Sequence, residues 1–260
     1  MTNLIKRIAL SEKDIESLKH IASSRELKSF EQPQDYKNKV TLKPWGHEFL
    51  IFENNCVAIW YLHIRREHST SMHCHPRKKT ALILLSGRAL CNTFLHRNFL
   101  SAGDALMIDA AVFHSTKALS LEGIFLVEVE TPPLKTDLAR LDDNYGRKLC
   151  GYEGHSEMHL DNLDKYNYFF FEESACHNQT YVLPQQFAIA MESYTNNEDF
   201  QRAFQVDPSC IYCVCRGRLL TPRGESLVEL GELQSGMSLQ EQAGVVIDQS
   251  TTLMRLKPLS

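Results

Sequence analysis

Two histidines set one residue apart open the chemistry of this chain: Ser71-Met72-His73-Cys74-His75-Pro76. In an extended strand, residues i and i+2 point to the same side, so His73 and His75 can converge on one ion. A third imidazole, His114, ends the run from Gly103 to His114, just past an apolar stretch that reads as a strand. Three neutral imidazoles leave the full charge on a bound divalent ion, which suits a Lewis-acid zinc or a ferrous centre with open positions. The expected cofactor is therefore a divalent metal, zinc or iron, held by His73, His75 and His114.

Positive charge gathers beside the pair: Arg77, Lys78 and Lys79 follow it directly, and Lys43 lies upstream. Arg offers a planar fork to phosphate and Lys a point charge, although a solvated basic turn has the same composition. The clustering stands out because the whole chain is slightly acidic, with 28 basic and 32 acidic side chains in 260 residues and a formal charge of −4. Nothing global favours nucleic acid or an anionic membrane, so any anion site is local. A small-molecule substrate is the expected partner, and a homodimer is compatible with the sequence.

The remaining histidines and cysteines read more simply. His63 and His68 lie in or after a strand and His96 in a turn, while Glu153, His155, Glu157 and His159 alternate through a polar, loop-like segment. Eight cysteines in 260 residues fall below disulfide-scaffold density, and no secretion signal or apolar span of about 18 residues is present, so a cytoplasmic protein with reduced thiols is expected. Cys210-x2-Cys213-x-Cys215 lacks a second pair at zinc-site spacing and reads as small buried hydrophobes. Trp60, Phe94 and Phe113 occupy core-like places in their strands.

The elements that must position the histidines are short and strand-like. After an N-terminal helix over 11–30, started by Ser11 with Glu12 and Asp14 in its first turn, come Phe49–Phe52, Val57–Ile64, Ala81–Leu85, Leu90–Leu95, Ala105–Ile108 and Gly123–Val129. These are rich in apolar and β-favouring residues and are broken by turns, as in an antiparallel sandwich or small barrel. A polar stretch between Asp142 and Asp164 connects to a second half with strands at Tyr181–Glu192, Ile211–Arg216, Ser226–Leu230 and Leu253–Leu256. The phrases Leu82–Arg88 and Ile211–Arg218 are alike and suggest an internal duplication, but no histidine follows His177, so the second copy is a packing partner without the chemistry.

The H-x-H pair, Gly87 closing the next strand and the run from Gly103 to His114 together resemble the two motifs of the cupin superfamily. Lys43-Pro44-Trp45-Gly46 before them and Arg140-Leu141-Asp142-Asp143-Asn144-Tyr145-Gly146-Arg147 after them resemble the texts that bracket the cupin domain of type II mannose-6-phosphate isomerases. The likeness spans residues 43–147. It implies an all-β bicupin, two jelly-roll barrels behind an N-terminal helix, divided into 1–39, a metal-binding 40–147 and a histidine-poor 148–260. It also implies a metal-dependent enzyme acting on a phosphorylated sugar or sugar nucleotide, of isomerase or epimerase type, with Lys43, Lys79 and Arg147 meeting the phosphate. A non-catalytic binding cupin and a three-histidine ferrous dioxygenase are the alternatives. Two departures matter: Thr80 stands where such cupins place a glutamate ligand, and His73 where the isomerases tend to have glutamine. Thr80 is accordingly expected outside the metal shell, and no residue declares itself as the catalytic base.

Overall fold

The computed structural model describes residues 4–24, 35–146, 157–159, 163–175 and 179–259. The first half runs β1 (Ile5–Ile8), α1 (Glu12–Ser24), β2 (Val40–Lys43), β3 (Gly46–Glu53), β4 (Ala58–Ile64), β5 (Met72–Cys74), β6 (Lys79–Ser86), β7 (Arg88–Thr93), β8 (Arg97–Ser101), β9 (Ala105–Ile108), β10 (His114–Ala118), β11 (Ile124–Thr131), β12 (Ala139–Asp142) and β13 (Met158–His159). The second contains β14 (Gln179–Leu183), β15 (Phe187–Tyr194), α2 (Asn197–Ala203), β16 (Ile211–Arg216), β17 (Leu219–Leu220), β18 (Ser226–Val228), β19 (Leu233–Ser235), α3 (Gly236–Gln240) and β20 (Thr251–Pro258). No helix among the described residues is long and apolar enough to cross a membrane.

Among the described residues the first half forms two sheets, an eight-stranded one in the order β1-β9-β6-β11-β4-β3-β2-β13 and a five-stranded one in the order β12-β5-β10-β7-β8. Successive strands pass between them, which makes a jelly-roll barrel. The strands of the large sheet are apolar almost throughout because both of its faces are covered. Leu50, Trp60, Leu62, Leu82, Leu84 and Leu126 fill the barrel. Their alternates Phe49, Ile51, Tyr61, Ile83 and Val127 join Phe171, Ile189, Cys213, Met254 and Leu256 of the second half in a shared core. Period-two alternation thus builds two cores from one set of strands.

The second half contributes a five-stranded antiparallel sheet, β14-β15-β20-β16-β19, and a two-stranded ribbon, β17-β18. On the side away from the barrel, Phe200, Tyr212, Val214, Leu239, Ile247 and Leu253 make a further core. The two similar phrases take similar shapes: β6 and β16 each end in a glycine of positive φ, Gly87 at 79° and Gly217 at 73°, which turns the chain into the next strand. Cys213 and Cys215 face the shared core while Cys210 joins the outer one, so the cysteine cluster is divided between two apolar interiors.

Some boundaries differ from the sequence reading. Tyr181–Glu192 is the core of a hairpin, because Pro184 interrupts the pattern and Gln186 turns at a φ of 62° between β14 and β15. Ile5–Ile8 forms a strand that pairs in parallel with β9, its four residues being too few and too charged to show a period. The N-terminal helix is described as Glu12–Ser24; the expected continuation towards residue 30 lies outside the described residues. That helix backs the small sheet, with Ile21 packed against Cys74, Phe113 and Ala139.

Candidate metal centre

Three strands of the small sheet set out the histidines. His73 on β5 lies directly opposite His114 on β10, and Arg140 on β12 lies opposite His73 on the other side. Directly opposed residues share a face, so these three side chains form a row across the sheet, and His75, two residues on from His73, points the same way. The imidazole centroids are 4.5 Å apart for His73 and His114, 5.0 Å for His73 and His75, and 5.6 Å for His75 and His114. One ring nitrogen from each lies within 4.8 Å of the other two.

Each ring is oriented by its other nitrogen. Nδ1 of His73 stands 2.8 Å from the Ser71 carbonyl, Nδ1 of His75 2.7 Å from that of Asp137, and Nδ1 of His114 3.0 Å from that of Val112. A carbonyl accepts only, so each Nδ1 carries the proton and each Nε2 is left with a lone pair. Nε2 of His75 is buried with no hydrogen-bond partner among the described residues. An inward-facing lone pair without a donor is what a metal ligand requires, and backbone carbonyls behind the rings are the usual orienting partners. Burial first, with neighbouring imidazoles and the cations Lys78 and Arg140 adding to it, holds His73 and His75 well below the ordinary histidine range. His114 is lowered too, chiefly by burial. The rings are therefore neutral, and protons compete for their lone pairs only below the ordinary value of about 6.5.

Two acids that the motif reading passed over fix this geometry. Besides its carbonyl on His75, Asp137 accepts the Arg77 and Lys78 backbone amides at 2.7 and 3.1 Å and Arg77 Nε at 3.0 Å, which clamps the turn after the histidine pair. Asp14 on α1 accepts the Phe113 amide at 2.8 Å and so anchors the residue before His114. The carbonyl of His75 in turn accepts the Ala111 amide at 2.7 Å, joining the two histidine segments.

Below the histidines the barrel interior is charged. Lys43 lies 3.4 Å from Glu48, Glu48 2.9 Å from Lys135, Lys135 3.5 Å from Glu130, and Glu130 2.7 Å from Lys78. Lys43, Glu48, Glu130 and Lys78 are buried, the Lys78 and Glu130 side chains to 1% and 2% exposure, and the partly buried Lys135 sits 3.5 Å over the Trp60 ring. Burial alone would raise Glu130, but Lys135 and Lys78 outweigh it and hold the carboxyl below its ordinary value. For Lys135 burial opposes the charge, and Glu130, Glu48 and Glu128 override it and keep the amine raised. Glu128, the next inward residue of β11, is pushed upward by burial and then by Glu130; its Oε1 is 4.0 Å from His75 Nε2. His73, His75, Lys78, Glu128 and Arg140 line a cavity of about 60 Å³.

The other sequence candidates fall in different places. Lys43 is in the cavity wall, engaged with Glu48. Lys79 is on the opposite face from Lys78, half-exposed and 3.9 Å from Glu232 of the second half, so it does not join the histidines. Arg147 lies outside the described residues, as do Glu153 and His155 of the alternating segment. Thr80 is buried, and its Oγ1 has no hydrogen-bond partner among the described residues. His63 is on the other face of β4, stacked on Phe125 at 4.4 Å. Sequence spacing found the histidines; it did not find Lys135, Glu48, Glu128 or Glu130, which belong to no short motif, and Arg140, although it opens the stretch Arg140–Arg147, carried no role there.

Jelly-roll barrel and inward histidine group together make the first half cupin-like. No protein-family model and no curated protein matches the sequence. Among solved structures, the chain is similar to an uncharacterized conserved protein with a double-stranded β-helix domain from Klebsiella pneumoniae, at 17% identity over 44% of this chain and 100% of that one, with a TM-score of 0.37. It is also similar to KdgF from Halomonas sp., at 16% identity over 40% of this chain and 90% of that one, TM-score 0.34. A sugar phosphate isomerase of the cupin superfamily from Silicibacter pomeroyi matches at 12% identity over 34% of this chain and 58% of that one, TM-score 0.31.

Proposed function

We propose that the protein is a metal-dependent enzyme acting on a phosphorylated sugar or sugar nucleotide, with isomerase or epimerase chemistry. The observation that carries the reading is the convergence of three neutral imidazoles, each with Nδ1 engaged by a carbonyl, two of them lining a cavity whose wall also holds Lys78 and Arg140. His73, His75 and His114 would hold a divalent ion, which when bound supplies a Lewis acid for a carbonyl or hydroxyl oxygen. Lys78 and Arg140, both buried on the cavity wall, supply positive charge to an anionic substrate; Lys79 points away. A cavity of about 60 Å³ admits the reacting end of a sugar and not the whole of it, so the rest must lie at the mouth.

Calorimetric titration of the zinc-loaded protein with hexose and heptose phosphates, neutral sugars and small thiols tests this. Sugar phosphates should bind more tightly than inorganic phosphate. A charge-assisted contact is worth roughly 1.5–3 kcal/mol, so Arg140→Gln should weaken them about ten- to a hundredfold and leave metal content intact. Tighter binding of thiols or neutral sugars than of any phosphate would contradict the reading.

A further inference from the structure

With its Nδ1 donating to the Asp137 carbonyl, His75 presents a bare Nε2 lone pair, and the Glu128 carboxyl group faces it at 4.0 Å. Both groups are buried, and His75 Nε2 has no hydrogen-bond donor among the described residues. Among the described residues no lysine lies within ion-pair distance of this carboxyl group, whereas Glu48 and Glu130 on the same barrel wall each have two. Two acceptors that face each other in a buried space repel unless an electrophile lies between them. Zinc bonds nitrogen and carboxylate oxygen at about 2.0–2.2 Å, so two ligands at a tetrahedral angle stand about 3.4 Å apart. The observed 4.0 Å is wider by about 0.6 Å, a gap that a small rotation of the Glu128 side chain closes.

We infer that Glu128, delivered from β11, is a fourth protein ligand of the ion and supplies the carboxylate that Thr80 cannot. This rests on the three-histidine site proposed above. Strand register explains how the exchange is possible: β6 and β11 are paired neighbours, with Thr80 opposite Glu130 and Leu82 opposite Glu128. A carboxylate on β11 therefore reaches the same interior as a residue on β6. The added negative charge makes the site anionic by one unit relative to three imidazoles, which favours a hard divalent ion over a soft one.

Cobalt(II) is the probe, because its visible absorption reports coordination number and ligand type. Wild type, Glu128→Gln, Glu128→Asp and His75→Ala are titrated, with apo-protein unfolding midpoints confirming that each variant folds. Wild type should bind one cobalt per chain, and His75→Ala none. Glu128→Gln should bind roughly a hundredfold more weakly with an altered visible spectrum, and Glu128→Asp should lie between. A Glu128→Gln spectrum identical to wild type, whatever its affinity, places Glu128 outside the shell and overturns the inference while the histidine site stands. Failure of the wild type to bind cobalt overturns the histidine site itself, and this inference with it.

Discussion

Lys78 and Lys79 are neighbours in sequence and end on opposite faces of one sheet, a difference that composition cannot express. Their shared charge made both candidates for an anion; strand alternation puts only Lys78 inside the barrel, 2.7 Å from Glu130. The same limit hid Glu48, Glu128 and Lys135, which lie far apart in sequence and are joined by pairing across β3, β11 and the loop after it. The histidines were legible because two of them sit at the spacing of one strand face. Removing one partner of a buried pair leaves an uncompensated charge, at about 3–5 kcal/mol. Lys78→Met leaves Glu130 with Lys135 alone, at 3.5 Å, and should therefore lower the stability measured by urea unfolding by less than that, about 1–3 kcal/mol. The double variant Lys78→Met/Glu130→Leu should recover most of the loss, since Lys135 keeps Glu48 as a partner at 2.9 Å. A double variant as unstable as the single one would show that the pair is not the source.

Elements carry a different kind of information. Gly46, at the end of Lys43-Pro44-Trp45-Gly46, is needed because a Cβ there would lie 1.8 Å from the His63 carbonyl oxygen, so β2, β3 and β4 can pair tightly only with a glycine. On the outer face of the same sheet His47 lies opposite His63, ring centroids 5.1 Å apart, with Tyr166 against it at 4.8 Å. Burial first, and then His63, push His47 down to about 4. In the unfolded chain the ring takes up its proton near pH 6.5, before the folded state does. Stability is thus lost as pH falls from about 6.5 to about 4, at up to roughly 1.4 kcal/mol per unit, and the loss is complete below that window. Chemical unfolding of wild type and His47→Gln across this range should show a shallower slope in the variant by about that amount; parallel curves would contradict the burial assigned to His47.

At the scale of the whole molecule, the all-β class, the N-terminal helix and most strands of the first half were readable from alternation and turns. How the halves meet was not. Near-continuous apolar strands such as Ala58–Ile64 do not say which residues face the barrel and which the second sheet, and the shared core answers it: Ile59 and Tyr61 outward, Trp60 and Leu62 inward. One consequence is thermodynamic. Because Phe49, Ile51 and Val127 pack with Ile189, Met254 and Leu256 in one apolar cluster, the halves should unfold together, with a single calorimetric transition. Met254→Ala, at a fully buried position of that cluster, should shift the whole transition by about 2–5 kcal/mol; two separable transitions would contradict a common core.

The fold brings His73, His75 and His114 together, and the proposed function requires that they hold one ion. Equilibrium dialysis of apo protein against micromolar zinc at neutral pH, followed by elemental analysis, tests it most directly. Wild type should retain one zinc per chain and His75→Ala none, with both proteins folded. A wild type that retains no metal, or a His75→Ala variant that retains as much as wild type, would contradict the account.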